Sequence, residues 1–220
     1  MLCDAIFART LKHETILELA RHAEVPVLNG LTDYNHPTQV VCDILTMLEH
    51  IPAGKRLEDL NVTFVGDATN VLSSLLLICT RLGMSFTQAA PEKYQAPPTW
   101  QAWAQQNCLE SGGHFTITAD PLAAVHQADF IYTDLWWWVG QEAEIPERQA
   151  AFMPAYQVNL ELFDKAPAHC TAALPDFLIA FATANWASKP RCGTTVLPCA
   201  AWRRGAIKNI WSSGRFCPRR

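Results

Sequence analysis

The amino-acid sequence predicts an α/β fold built on a doubly wound parallel sheet. Short apolar runs typical of buried strands alternate along the chain with longer segments whose apolar residues recur at helical spacing. Of the 220 residues, 50% are apolar and 17% are charged, which is enough to bury one substantial core or two small ones. In sheets of this kind the crossover connections are right-handed, and ligands bind where the strands reach their carboxyl ends.

The predicted elements follow one another at a regular interval. Ala23 to Asn29 is a short apolar run that predicts a strand, and His36 to His50 carries apolar residues at helical spacing. Asn61 to Val65 predicts a buried strand, and Thr69 to Leu82 predicts a helix that is apolar on most sides. Further along, the sequence predicts strands at 85–89, 114–119 and 128–133 and helices at 98–110 and 121–127.

The cysteines and the hydropathy pattern disfavour several classes of protein. The eight cysteines form no C-x-x-C pair and no basic-then-apolar leader precedes them, which disfavours a secreted disulfide framework and a zinc ribbon. The longest apolar stretch, Val71 to Cys79, is interrupted by Ser73 and Ser74 and is far shorter than the roughly 20 residues that cross a bilayer. We therefore expect a cytoplasmic protein with neither a metal site nor a membrane segment.

The net charge of −4 conceals a difference between two parts of the chain. Residues 1–176 hold all 21 acidic residues and 9 of the 17 basic ones, whereas residues 177–220 hold 8 basic residues and no acidic one. The second segment mixes tryptophans and cysteines with isolated arginines and shows neither helical nor strand periodicity. Nucleic-acid-binding tails are usually runs of lysine and arginine in polar sequence, so we expect no nucleic-acid partner.

Three segments at strand ends or helix starts carry the polar residues of a candidate site. Gly66-Asp67-Ala68-Thr69-Asn70 opens a helix after a strand, but the G-x-G-x-x-G spacing is absent, which disfavours a nicotinamide cofactor. His36-Pro37-Thr38-Gln39 starts a helix with proline in its first turn, where free N–H groups suit an anion. Asp134 closes a strand and leads into an indole cluster, Leu135-Trp136-Trp137-Trp138-Val139-Gly140.

Four motifs, in order and in spacing, resemble the ornithine and putrescine carbamoyltransferases. They are VPVLNGLTDYNHPTQ at 25–39, VTFVGDATN at 62–70, YTDLWWWVGQEAE at 132–144 and YQVN at 156–159. The resemblance runs from about residue 3 to about residue 170 and is nearest to the putrescine enzymes, on DYNHPTQ, GKRLED at 54–59 and SGGHFTIT at 111–118.

The resemblance implies a division of the chain into three parts. Residues 1–50 would be a remnant of the carbamoyl-phosphate-binding domain, including the interdomain HPTQ helix. Residues 51–176 would be the Rossmann-like second domain, which binds the amine. Residues 177–220 would be an atypical tail. Family members are trimers, so a homotrimer is implied for the complete protein.

The resemblance also implies roles for single residues. His36 would donate to the carbamoyl carbonyl oxygen, Gln39 would hold the carbamoyl amide, and Arg9 would contact the carbamoyl group and the phosphate. Asn70 and Asp134 would face the amine. No covalent nucleophile or cofactor is needed, because donors around the carbonyl oxygen and the alignment of two substrates supply the chemistry.

Each of these residues also has a purely structural interpretation. His36 and Asn70 are of types that start or cap helices, Asp134 is suited to cap a turn, and Arg9 is compatible with an ordinary surface position. The tryptophans are as compatible with packing as with substrate contact.

The indole cluster bears on the choice of amine. Ornithine enzymes of the family carry a Ser-Met-Gly stretch where this chain has Trp138-Val139-Gly140. An indole in place of the serine suits an aliphatic diamine that has no carboxylate. We therefore favour putrescine, with Trp138 beside it, and ornithine is the alternative.

Two departures from the family pattern predict impaired activity for this chain. An S-x-R-T-R phosphate loop belongs before the strand that contains Arg9, and Met1 follows the place where that loop would end. A His-Cys-Leu-Pro loop is expected about fifteen residues after YQVN, where the sequence has Ala173-Leu174-Pro175. Codons GCN-YTN-CCN read one base later can spell His-Cys-Leu, which raises the hypothesis that the tail is out of frame.

Three hypotheses about function remain open at the level of the sequence. The chain derives from a carbamoyltransferase, or it is a non-catalytic fragment that retains the amine pocket, or its basic tail binds nucleic acid with a steep dependence on salt. With much of the family's first domain missing, we also expect exposed apolar surface and poor solubility.

Overall fold

A computed structural model describes residues 3–137, 141–174 and 196–198 and shows an α/β protein with two parallel sheets. The first sheet has two strands, β1 (Ile6–Arg9) and β2 (Val27–Leu31), which α1 (His13–His22) connects. The helix α2 (Pro37–Glu49) follows β2 and has proline in its first turn, where the fixed φ angle suits a helix start.

The second sheet has six parallel strands with helices between them. In chain order its elements are β3 (Asn61–Val65), α3 (Asn70–Arg81), β4 (Ser85–Ala89), α4 (Pro98–Ser111), β5 (His114–Thr118), α5 (Pro121–Val125), β6 (Phe130–Tyr132), α6 (Ile145–Phe152), α7 (Leu160–Phe163), β7 (Thr171–Leu174) and β8 (Val196–Pro198). The strand order is β5-β4-β3-β6-β7-β8, so the direction in which the sheet grows reverses between β3 and β6. Such a reversal is a topological switch point, where open α/β sheets bind ligands outside the carboxyl ends of their strands.

Two apolar clusters cover the two faces of this sheet. Phe130 and Tyr132 of β6 belong to one cluster and Ile131 to the other, as the alternation of side chains along a strand requires. The first cluster includes residues of α2, α3 and α4, and the second includes residues of α5, α6 and α7. The predicted doubly wound parallel sheet is therefore confirmed.

The helix α2 follows the first sheet in the chain, but it also packs against the second sheet. Its buried residues Val40, Ile44 and Met47 lie in the same cluster as Phe64 and Leu75. The start of α2 is therefore held against the second sheet, and it reaches the switch point.

The structure also shows where the predicted elements differ from the observed ones. Strands β3 and β4 begin and end as predicted, and α3 and α4 do so within one residue. The strand predicted from Ala23 starts later, because Ala23 ends α1 through its N–H bond to the Leu19 carbonyl. None of the helices in the described part of the chain combines the length and apolar character needed to cross a membrane.

Candidate functional site

Polar side chains from both sheets meet at the switch point between β3 and β6. The Thr133 hydroxyl donates to the Val65 carbonyl across 2.7 Å and so ties the ends of the two strands together. The segment after β3 leads into α3, and the segment after β6 carries Asp134. The start of α2 is joined to α3, because the His36 N–H donates to the Ser74 hydroxyl across 2.8 Å.

His36 caps α2 with its own ring. Its Nδ1 accepts from the Gln39 N–H at 3.3 Å, so in the neutral imidazole the proton is on Nε2. Burial and, second, the nearby positive charge of Arg9 lower the pKa of His36 to about 4. At neutral pH the ring is therefore an uncharged donor through Nε2, and no residue in the described ranges accepts from that atom.

Arg9 and Gln39 are both near His36. Arg9 ends β1 with an exposed side chain, and its charge reaches the His36 ring. The Gln39 amide donates to Asp43 at 3.2 Å, and the other Asp43 oxygen accepts from the Tyr132 hydroxyl at 3.0 Å. The structure thus brings Arg9, His36 and Gln39 together, and Asp43 joins this group to the last residue of β6.

Asn70 is buried at the junction of the two parts of the site. Its side-chain amide donates to the Thr32 carbonyl at 2.7 Å, and its backbone carbonyl accepts from the Ser74 hydroxyl at 3.0 Å. The interpretation of Asn70 as a helix cap is wrong, because the hydroxyl of Thr69 caps α3 by accepting from the Leu72 N–H. In this structure Asn70 links the segment before α2 to the start of α3.

Asp134 is held in place by two donors. The Leu135 N–H donates to Oδ1 at 2.8 Å and the Thr69 hydroxyl donates to Oδ2 at 3.2 Å. Burial and, to a smaller extent, the carboxylates of Asp43 and Asp67 raise the pKa of Asp134 to about 6, although the two donors lower it. The group is therefore ionised at neutral pH but close to its midpoint.

Two other aspartates that adjoin strands of this sheet, Asp67 after β3 and Asp129 before β6, differ from Asp134 in having cationic partners. Asp67 pairs with the buried guanidinium of Arg148, and Asp129 accepts 2.7 Å bonds from Lys55 and pairs with His169 at the opposite edge. Among the described residues, Asp134 has no cation within ion-pair distance. A half-buried carboxylate without a counter-ion costs free energy, and a bound cation reduces this cost.

The indole cluster is described in part. Trp136 stacks on Phe152 with ring centroids 5.2 Å apart, and its carbonyl accepts from Arg148 at 2.8 Å. Trp136 therefore has a packing role. Trp138, predicted to lie beside the amine, is outside the described residues, as is most of the tail at 177–220.

Within residues 3–137, 141–174 and 196–198, no group of three or more His, Cys, Asp or Glu side chains is placed to hold a metal ion. A concavity of about 690 Å³ lies elsewhere, along α1, and the residues that line it all belong to that helix. It brings together no polar groups from a second element, so the switch point remains the candidate site.

Comparison with protein families gives the same assignment in two adjacent parts of the chain. Residues 1–49 match the carbamoyl-phosphate-binding domain of the aspartate/ornithine carbamoyltransferases, and residues 58–173 match the aspartate/ornithine-binding domain. The chain belongs to the aspartate/ornithine carbamoyltransferase family. The resemblance found in its motifs is thereby confirmed, and members of this family are enzymes.

Carbamoyltransferases of two kinds are similar to the chain. It is 52% identical over 172 residues to a putrescine carbamoyltransferase of Mycoplasma capricolum. The matched region covers 75% of this chain and 47% of that protein. It is 46% identical over 163 residues to an ornithine carbamoyltransferase of Thermococcus kodakarensis, covering 74% and 50%. The chain thus spans about half the length of these relatives.

A solved carbamoyltransferase has the same fold. The ornithine carbamoyltransferase from Pyrococcus furiosus superposes with a TM-score of 0.72 and 41% identity, covering 79% of this chain and 54% of that one.

Sequence reasoning did not find several residues that shape the candidate site. Asp43, Ser74 and Arg148 each join segments that are far apart in the chain, at separations of 89, 38 and 81 residues for the contacts described above. Only the i,i+4 spacing of Glu144 and Arg148 gave a local signal, and it does not reveal the partner Asp67.

Proposed function

We propose that this protein transfers the carbamoyl group of carbamoyl phosphate to one amine of putrescine, forming N-carbamoylputrescine and phosphate. The observation that carries the proposal is the Asp134 carboxylate, which has two neutral donors and, within the part of the chain that the structure describes, no cationic partner. Thr69 links this carboxylate to the helix beside His36. A diamine supplies the missing cation at one end and a nucleophile at the other.

In the proposed reaction each residue acts on one part of the substrates. Asp134 binds the distal ammonium group, while the other amine, in its neutral form, attacks the carbamoyl carbon. The Nε2–H of His36 donates to the carbonyl oxygen as negative charge gathers there, and Gln39 holds the carbamoyl amide. The new C–N bond forms as the C–O bond to phosphate breaks. Arg9 stabilises the departing phosphate, and the attacking nitrogen loses a proton to it or to water.

The neutral state of His36 fits this role. Carbamoyl transfer needs a hydrogen-bond donor that does not protonate the attacking amine, and a ring with a pKa of about 4 stays neutral where an amine is partly deprotonated. Holding both substrates in line then supplies much of the acceleration.

Putrescine is preferred to ornithine on two grounds. Trp138 replaces the small polar residue expected where an amino-acid head group binds. A relative at 52% identity is named a putrescine enzyme. Ornithine, with citrulline as product, is the second candidate, because a relative at 46% identity is named an ornithine enzyme. We also propose that Asn70 faces the amine substrate. This position does not favour one of the two amines over the other.

Three further properties belong to the proposal. Residues 1–50 contribute to binding carbamoyl phosphate, and residues 51–176 bind the amine. The assembled enzyme is a cytoplasmic homotrimer that acts in polyamine or arginine metabolism. The isolated 220-residue chain transfers carbamoyl groups slowly and retains amine binding. The non-catalytic alternative is a chain that binds the amine and forms no product.

Calorimetry on the 220-residue chain tests the amine site directly. At pH 8 and without carbamoyl phosphate, we expect putrescine to bind more tightly than ornithine. Asp134→Asn is expected to weaken putrescine binding at least about 30-fold, since truncating one partner of a buried charge pair costs about 2 kcal/mol or more. Asp120→Asn, an exposed change at the start of α5, is the matched control and should leave affinity unchanged.

Product formation separates the candidate functions. Mixing the chain with carbamoyl phosphate and each amine should give more carbamoylputrescine than citrulline, in small amounts. Faster carbamoylation of ornithine would contradict the preference for putrescine. Amine binding with no product for either amine would support the non-catalytic alternative, and absence of binding would contradict the proposed site.

A further inference from the structure

The carboxylate of Asp134 depends on one side chain from another element. Thr69 is buried, and its hydroxyl lies 3.2 Å from Asp134 Oδ2 and 3.4 Å from the Leu72 nitrogen. The Leu72 N–H can only donate, so the hydroxyl accepts from it and directs its own proton to the carboxylate. Thr69 therefore caps α3 and donates to Asp134 at the same time.

The second donor to Asp134 is local and does not fix its orientation alone. The Leu135 N–H is the backbone of the next residue and donates to Oδ1, so it moves with Asp134. Thr69 is 65 residues away and is anchored to α3. The plane of the carboxylate is thus set by a group on the opposite side of the switch point.

The charged groups around Asp134 make this donor more important. Asp43 of α2 and Asp67 of the segment after β3 both disfavour a negative charge on Asp134. The charge of Asp67 is partly offset by Arg148 of α6. Burial raises the pKa of Asp134 to about 6 even with Thr69 in place, so little more is needed for protonation at neutral pH.

We propose that Thr69 is a positioning residue that holds Asp134 in the orientation and the anionic form that receive the ammonium group of the amine. The inference rests on the proposed function, because it gives Asp134 the amine as its ligand. A residue that merely capped α3 would affect stability, but it would not change the pH range over which amine binds.

The test compares Thr69→Val, which keeps the shape and removes the hydroxyl, with Thr69→Ser, which keeps the hydroxyl. Putrescine affinity is measured by calorimetry between pH 5.5 and 8.5. The wild type should lose affinity as the pH falls through about 6. In Thr69→Val this loss should begin about 0.5 to 1 pH unit higher, which weakens binding roughly 1.5- to 3-fold near pH 6.5 and roughly 3- to 10-fold at pH values well below both midpoints. Thr69→Ser should restore the wild-type curve.

Two controls separate the donor from the cap. Thr69→Gly also lacks the hydroxyl, but glycine caps helices nearly as well as threonine, so it tests the same point should the valine variant not fold. Asp120→Ala removes the cap of α5 without touching Asp134 and should not move the pH midpoint. Equal loss of affinity at every pH in Thr69→Val and Thr69→Gly would overturn the proposal.

The titration of Asp134 can also be followed without a ligand. Carbon-13 NMR of the aspartate carboxyl groups should show the Asp134 midpoint rising in Thr69→Val or Thr69→Gly and unchanged in Thr69→Ser. If the wild type binds no putrescine, the proposed function fails. This titration still decides the role of Thr69, and an unmoved midpoint overturns it.

Discussion

At the scale of the residue, His36 shows how one side chain acquires a defined chemical state. Its Nδ1 is occupied by the Gln39 N–H, which leaves the proton on Nε2. Its N–H is held by Ser74, which in turn donates to the Asn70 carbonyl. The ring thus enters the site with fixed orientation, fixed tautomer and no charge, whereas a free histidine interconverts among three forms near pH 6.5.

The depressed pKa of His36 predicts a pH-dependent stability. An unfolded chain binds a proton at His36 below pH 6.5, whereas the folded chain binds it only below about 4. Stability from this group is therefore complete above pH 6.5 and is lost as the pH falls to about 4, by up to about 3 kcal/mol. The free energy of unfolding of the wild type minus that of His36→Gln, each measured in urea, should therefore fall by about this amount from pH 7 to pH 4.

The matched control for this measurement is His22→Gln, at an exposed position near the end of α1. The stability of each variant is followed against pH beside that of the wild type. The His22 side chain is 77% exposed, so its removal reports the effect of deleting a histidine that the fold does not bury. Parallel curves for His36→Gln would mean that His36 is not held neutral by the fold.

At the scale of the element, the spacing of apolar residues predicted those strands and helices that are buried in the core. The sequence was sufficient for β3, α3, β4 and α4, because continuous or regularly spaced apolar residues are what a strand or helix in this core requires. It was insufficient for α1, which buries one residue, Ile16. The short helices α6 and α7 were missed because so few residues leave no periodic stripe to detect.

The ends of elements depend on contacts that periodicity does not contain. Gln88 of β4 is fully buried and holds three backbone groups, donating to the Gly66 and Tyr94 carbonyls and accepting from the Ala96 N–H at 2.7 Å. A polar residue in a buried strand gives a weak sequence signal. In the structure it fixes the segment after β4 against the end of β3, next to the candidate site.

Replacing Gln88 tests how much this element end depends on one amide. Gln88→Met keeps the length of the side chain but leaves two carbonyls and an N–H without that partner in a buried place. We expect the free energy of unfolding to fall by about 2 to 4 kcal/mol in urea denaturation. Gln101→Met loses a single bond, to the Ala96 carbonyl, and should cost about 1 kcal/mol. Equal losses in the two variants would contradict the role given to Gln88.

At the scale of the whole molecule, the sequence predicted the fold and the end of the sheet at which the candidate site lies. It did not predict the hydrogen bonds that join the residues of that site. Motif order placed His36 and Asp134 at a helix start and a strand end, and the parallel topology brings both to the switch point. The bonds that join them, through Ser74, Asn70, Thr69 and Asp134, link residues 38 and 65 positions apart. Such contacts follow from the packing of whole elements, to which a single sequence gives no direct access.

The packing of α2 leads to a prediction about the molecule as a whole. One side of α2 lies in the core, whereas Val41, Leu45 and Leu48 form a stripe on the other side with exposed fractions of 61%, 59% and 47%. A helix that is apolar all round is normally buried. We therefore expect the 220-residue chain to have low solubility because of this stripe.

Changing the stripe to polar residues should raise solubility without loss of stability. The variant Val41→Lys, Leu45→Glu, Leu48→Lys should require distinctly more polyethylene glycol to precipitate, with an unfolding free energy within about 1 kcal/mol of wild type, since exposed positions tolerate substitution. Leu109→Lys changes an isolated leucine of α4 that is 82% exposed and adds the same net charge of one, so it controls for charge. If Leu109→Lys raised the solubility as much as the triple variant, net charge and not the apolar stripe of α2 would limit the solubility of the chain.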